Sequence, residues 1–173
     1  MTATFKSLIF NQMTASLDML KYCIDACPKS EWHEAHKDAP FSQVVFHTLF
    51  YADFYLGRDS IPFKEQTFHV KHKDIFGEYE EMEDKIPENL YERVFCLEYL
   101  AHCTNKVKAT IESETSDSLS GNSGIDFRET SRAELFVYNI RHIQHHAAQL
   151  GLRIQAVTGK EMPWFSGKKR SSG

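Results

Sequence analysis

The chain of 173 residues has no Cys-x-x-Cys pair, no Asn-Gly or Asp-Gly dipeptide and no apolar stretch approaching the length of a membrane span, which needs about 20 residues. Without the cysteine motif there is no redox or cysteine-zinc signature. Cys23 and Cys27 are four apart and Cys96 and Cys103 seven apart, spacings along one helix face that point to reduced, buried thiols. Without the tight-turn dipeptides, strand signals are few. The opening MTATFKSLIFNQMTASLDML is broken by Asn11, Gln12 and Asp18 and lacks the unbroken apolar core of a signal peptide. A soluble, cytoplasmic protein is therefore expected. Basic charge is also in short supply: 20 Lys and Arg stand against 24 Asp and Glu, a net charge of -4. That balance speaks against nucleic acid as a partner, because phosphate neutralisation needs a basic face.

What is present is material for one packed domain, with 42% hydrophobic and 13% aromatic residues, and nine histidines. Four segments carry helical periodicity. The first runs from about Phe5 to Ala26 with Leu8, Met13, Leu17, Leu20 and Ile24 on one stripe, and Pro28 stops it. The second opens at Asp38-Ala39-Pro40, a capping residue followed by a first-turn proline, and closes near Gly57. The third runs from Pro87 to about Glu114, and the Ser/Thr/Gly/Asn-rich run from Ser113 to Gly124 reads as a loop. Ser131-x-x-Glu134 is a capping box that opens the fourth, and Gly159 ends it. An all-α fold follows, an antiparallel four-helix bundle over residues 1–160 with a C-terminal tail over 161–173 whose last residues, SGKKRSSG, read as an untethered solvated end.

The connection from Gly57 to Pro87 is long for a compact bundle, and a crossover of that length runs along or across the helices. It has room for a short helical piece around Ile75 to Glu81. His69 and His72 lie in it among Lys64, Lys71 and Lys73 and are expected to be exposed. His33 and His36 fall in the linker before the second helix. His102 adjoins Cys103, but neighbouring helical positions point about 100° apart, so the two do not form a catalytic pair.

Three histidines stand apart. In the fourth segment Phe136, Ile140, Ile143, Ala147, Leu150 and Ile154 define an apolar stripe. At roughly 100° per residue, His142 and His146 fall on one flank of it, about 120° and 80° from its centre, with His145 on the other side. An i, i+4 pair stacks two imidazoles one above the other, suited to two positions of one metal shell, although such pairs also occur on solvated faces. In the second segment His47 lies amid Val44, Phe50, Tyr51, Phe54 and Tyr55 and should point inward, where an imidazole tends to be neutral, the state that binds metal. Three neutral histidines form an incomplete shell for Zn, Ni or Fe, with room for water or substrate. The residues also admit a satisfied, metal-free arrangement. Asn139 and Gln149, on the flank of the pair, either orient ligands or make ordinary inter-helix contacts, and Tyr51 is a candidate for the pocket wall.

The second-helix motif HTLFYADFYLG and the late HIQHHAAQL resemble the DinB/YfiT-like superfamily of helical-bundle metalloproteins, over about Phe5 to Val157 and in helix order. Ala148 stands where many members have glycine. The resemblance implies an up-down-down-up bundle with one long crossover between the second and third helices, and a metal triad of His47, His142 and His146. It further implies a metal-dependent enzyme acting on a small-molecule substrate, either transferring a low-molecular-weight thiol or hydrolysing, and frequent homodimers. The alternative is a non-catalytic, metal-stabilised stress-response or dimerisation module.

Overall fold

A computed structural model describes residues 2–35, 39–58, 60–77, 89–125 and 129–167. Four long helices dominate: α1 (Thr2–Ala26), α2 (Phe41–Phe54), α6 (Arg93–Ser113) and α8 (Arg132–Thr158). Between α2 and α6 lie the short α3 (Ser60–Lys64), α4 (Thr67–Lys71) and α5 (Lys73–Phe76), and between α6 and α8 lies α7 (Ser116–Ser120). No strand occurs among the described residues; Asn122 and Ser131 form one isolated bridge. Among these residues no helix is long and apolar enough to cross a membrane.

Local chemistry accounts for the boundaries. The α1 stripe is Ile9, Met13, Leu17, Leu20 and Ile24, all buried, whereas Leu8, expected on it, is exposed. Pro28 lies just beyond the end of α1 and caps the following 3-10 turn, Lys29–Glu31. Pro40 sits at the N-cap of α2 rather than inside its first turn, and the proposed cap Asp38 lies outside the described residues. Pro87 does too, and α6 begins later, at Arg93. In α8 the capping box closes as expected: Ser131 Oγ accepts from the Glu134 N–H, and the Glu134 carboxylate accepts from the Ser131 N–H. Gly159, at φ +71°, then ends α8 in the left-handed conformation that glycine adopts without a steric penalty.

Two segments depart from the sequence expectation. The supposed loop after Ser113 contains α7, because Thr115 and Ser118 cap each other reciprocally and Leu119 is buried. In the crossover, α5 (Lys73–Phe76) takes in only Ile75 and Phe76 of the helical piece expected around Ile75 to Glu81, and residues 78–81 lie outside the described set. The crossover packs inward: Phe63 and Phe76 are buried, and their rings meet Phe50 and Phe46 of α2. After α8 the chain turns back, so that Met162 lies over Gly151 and beside Cys23, and Phe165 meets Tyr22.

α1 packs chiefly on α6 and α8, and α2 on the same two helices. Contacts fix their directions. Arg132 at the start of α8 reaches the carbonyls of Tyr55, Leu56 and Gly57 just past the end of α2, while Arg153 near the end of α8 reaches the Ala39 carbonyl before α2 begins. α2 and α8 are therefore antiparallel. Lys6 near the start of α1 donates to the Glu112 and Glu114 carbonyls at the end of α6, and Arg93 at the start of α6 donates to the Cys27 carbonyl, so this pair is antiparallel as well. Gln144 meets Met19 and Ala147 meets Cys23, which makes α1 and α8 parallel. α2 and α6 run parallel too, with Phe46 at Phe95, Leu49 at Cys103 and Asp53 at Lys106. The four run up, down, down and up.

Candidate metal centre

The antiparallel pairing of α2 and α8 sets the middle of one helix against the middle of the other. α2 is buried on almost every side; only Val44, His47 and Tyr51 within it are half-buried, one open strip at i, i+3 and i+7. His47 thus lies on the least buried edge of α2, not at the centre of an inward stripe as its apolar neighbours implied. Of those neighbours Phe50 and Phe54 are inside because Phe63 of the crossover covers them, as Phe95 of α6 covers Phe46. The strip faces α8, where His142 and His146 are half-buried on the flank of a buried stripe, as helical geometry requires.

One ligand atom from each of His47, His142 and His146 lies within 4.8 Å of the others. Their ring centroids are 5.5 Å (His47 to His142), 4.9 Å (His47 to His146) and 4.7 Å (His142 to His146) apart. In a tetrahedral shell with metal–nitrogen bonds of about 2.0–2.1 Å, ligand nitrogens sit about 3.4 Å apart, so modest side-chain rotations complete the approach. The donor set fits a divalent first-row ion: three imidazoles from two rigid helices, with no carboxylate in the group. Burial pushes His146 down to about 4, against the opposing hydrogen bond to Gln149, and neighbouring His47 and His145 add to the depression. His146 is therefore neutral, with a lone pair to offer, throughout the physiological range.

Around the three rings, Tyr51 packs 4.9 Å from His47 and 5.7 Å from His142, and Tyr55 meets His142 edge-on at 6.1 Å and Tyr138 at 5.3 Å. Gln149 Oε1 lies 2.9 Å from His146 Nδ1. Asn139 takes the second of the two roles its flank position allowed: it is buried and donates to the Ala52 carbonyl, an inter-helix contact that stitches α8 to α2. His145 is exposed, with its ring 5.0 Å from that of His146.

The remaining histidines divide differently from expectation. His69, expected to be exposed, is 1% exposed. Its Nε2 lies 2.8 Å from Asp53 Oδ2, its ring stacks on Phe76, and Tyr99 donates to the same carboxylate oxygen. Lys106 donates to the other Asp53 oxygen and to Gln66, which also meets His102. Burial alone would raise the Asp53 pKa, but His102 at 3.6 Å, His69 and the Lys106 ammonium hold it well below the usual carboxylate range. The available signal was Asp53 itself, an acid inside an apolar helix, which must have buried partners. His72 pairs with Glu98, and His33 meets Ser42; His36 lies outside the described residues. His102 and Cys103 do not meet, since the thiol points to the Leu49 carbonyl. All four thiols are buried and unbridged, and burial raises Cys23 and Cys96 to about 12 and Cys27 to about 11.

A pH dependence follows. The folded pKa of His146, about 4, is below the value of about 6.5 expected when unfolded. Between those values the unfolded chain binds more protons, so this contribution is complete above about pH 6.5 and is lost as pH falls toward 4. Thermal melts of EDTA-treated protein should show an acid-side loss of stability that is smaller in His146→Gln. Compared with protein-family models, curated proteins and solved structures, the chain gives no match.

Proposed function

We propose that this chain is a DinB/YfiT-like four-helix-bundle metalloprotein that holds Zn, Ni or Fe on His47, His142 and His146 and acts as a metal-dependent enzyme on a small-molecule substrate. The observation that carries the proposal is the approach of three imidazole ligand atoms to within 4.8 Å from two antiparallel helices. The up, down, down, up helix directions and the long crossover support the bundle assignment. When bound, the ion supplies Lewis acidity, lowering the pKa of a water or a low-molecular-weight thiol so that it becomes a nucleophile near neutral pH. The chain's own part is to hold three neutral donors in place and leave the remaining position to solvent or substrate. Tyr51 walls one side, and the half-buried strip of Val44, His47 and Tyr51 gives access. No acidic or thiolate side chain joins the group among the described residues, so the nucleophile comes from the substrate side or from water.

Elemental analysis of purified protein should find stoichiometric metal in the wild type and sub-stoichiometric metal in His47→Ala; equal content in both would overturn the site. EDTA should lower the melting temperature of the wild type and leave that of His47→Ala unchanged. Thiol transfer to a model electrophile, assayed with several low-molecular-weight thiols, then separates an enzyme from an ion that merely ties α2 to α8.

A further inference from the structure

We infer that Gln149 is a positioning residue that fixes His146 as the Nδ1–H tautomer, so that Nε2 is the atom offered to the ion; this rests on the three-histidine centre proposed above. Gln149 stands three residues after His146, on the same helical face. Its Oε1 lies 2.9 Å from His146 Nδ1, within hydrogen-bond range. An amide oxygen can only accept, so the proton of the bond must sit on Nδ1. A neutral imidazole carries a single N–H, which leaves a lone pair on Nε2. A metal ligand needs that lone pair, and a partner on the far nitrogen both selects the tautomer and stops the ring from turning.

Gln149 is exposed, and ordering a long flexible side chain against His146 costs conformational entropy that the hydrogen bond must offset. Asn139, the other amide on this flank, is committed to the Ala52 carbonyl, so Gln149 is the amide available to His146. Glutamate at 149 would keep the acceptor and alanine would remove it.

The test uses the full-length chain labelled with 15N-histidine, metal-free at about pH 8, where neutral imidazole tautomers are distinguished by long-range 1H–15N correlation. His146 is assigned by its disappearance in His146→Gln. The wild type and Gln149→Glu should show His146 protonated on Nδ1, and Gln149→Ala should shift the population toward Nε2–H. Zinc affinity, measured by chelator competition, should fall about 10- to 100-fold in Gln149→Ala, the usual cost of losing a ligand's outer partner, and recover in Gln149→Glu. The melting temperature of metal-free Gln149→Ala should match that of the wild type. An Nε2–H tautomer in the wild type, or zinc binding with the same tautomer and affinity in wild type and Gln149→Ala, overturns the role of Gln149 while leaving the metal site intact. An Nδ1–H wild type that shifts in Gln149→Ala but takes up no zinc upholds the tautomer assignment and overturns the proposed metal centre.

Discussion

Arg132→Ala is expected to destabilise the protein by about 3–5 kcal/mol, the usual cost of removing one partner from a buried charged network. Arg132 is 1% exposed, and its guanidinium donates to the Glu114 carboxylate and to the carbonyls of Tyr55, Leu56 and Gly57. Those carbonyls lie past the last turn of α2, where no further helical N–H can reach them. Truncation removes the guanidinium that donates to them, at a desolvation cost that is greatest where the bond is buried, at Tyr55 and Leu56. Glu114 loses less, because Arg58 and Ser118 still donate to it. Arg132→Lys should recover little, since an ammonium lacks the planar fork that serves several acceptors at once. Glu114→Gln should cost markedly less than either. Urea unfolding of the three variants checks the order.

Asp53→Ala should cost a similar amount, about 3–5 kcal/mol, and should do so unevenly. The substitution removes the counter-charge of the Lys106 ammonium, which keeps only the neutral acceptors Gln66 Oε1 and the carbonyl of residue 53, and it removes the carboxylate that accepts from His69 and Tyr99. Because His69 belongs to α4, the loss falls on the hold between crossover and α2, and amide exchange over residues 60–77 should accelerate before that of α1 or α8. The pH dependence has a definite sign. The folded Asp53 pKa is held below its unfolded value of about 3.9, so its contribution is complete above about pH 4 and is lost as pH falls further. Burial depresses His69 as well, so its contribution is complete above about 6.5 and fades on acidification. Asp53→Asn should flatten the acid limb below about pH 4 relative to wild type.

Features set by neighbours in sequence were legible. The Ser131/Glu134 box and Gly159 delimit α8 because their hydrogen bonds and dihedral are local. His142 and His146 share a flank for the same reason, since helical angle needs no tertiary information. Features set by distant partners were not. Leu8 has the period of the α1 stripe but not its burial, because Ile9 takes the place facing the core. α7 has too few residues for a periodic signal and depends on one buried anchor, Leu119. His69 looked solvated beside Lys71 and Lys73, yet its ring enters a pocket made by Phe63 and Phe76 with Asp53 at its base. His47 has apolar neighbours that imply an inward position, yet it occupies the open strip of α2, because which face of that helix is covered depends on the crossover and α6.

The two arginines of α8 also act as a register lock. Arg132 grips the trailing end of α2 and Arg153 the carbonyl that precedes its first turn, two stops about 30 Å apart along α8. A slip of α8 by one residue would advance it about 1.5 Å and rotate it about 100°. That screw motion would break both stops together and swing His142 and His146 away from His47. The spacing of the three imidazoles is therefore a vernier of helix register, set by the ends of the helices and read at their midpoint.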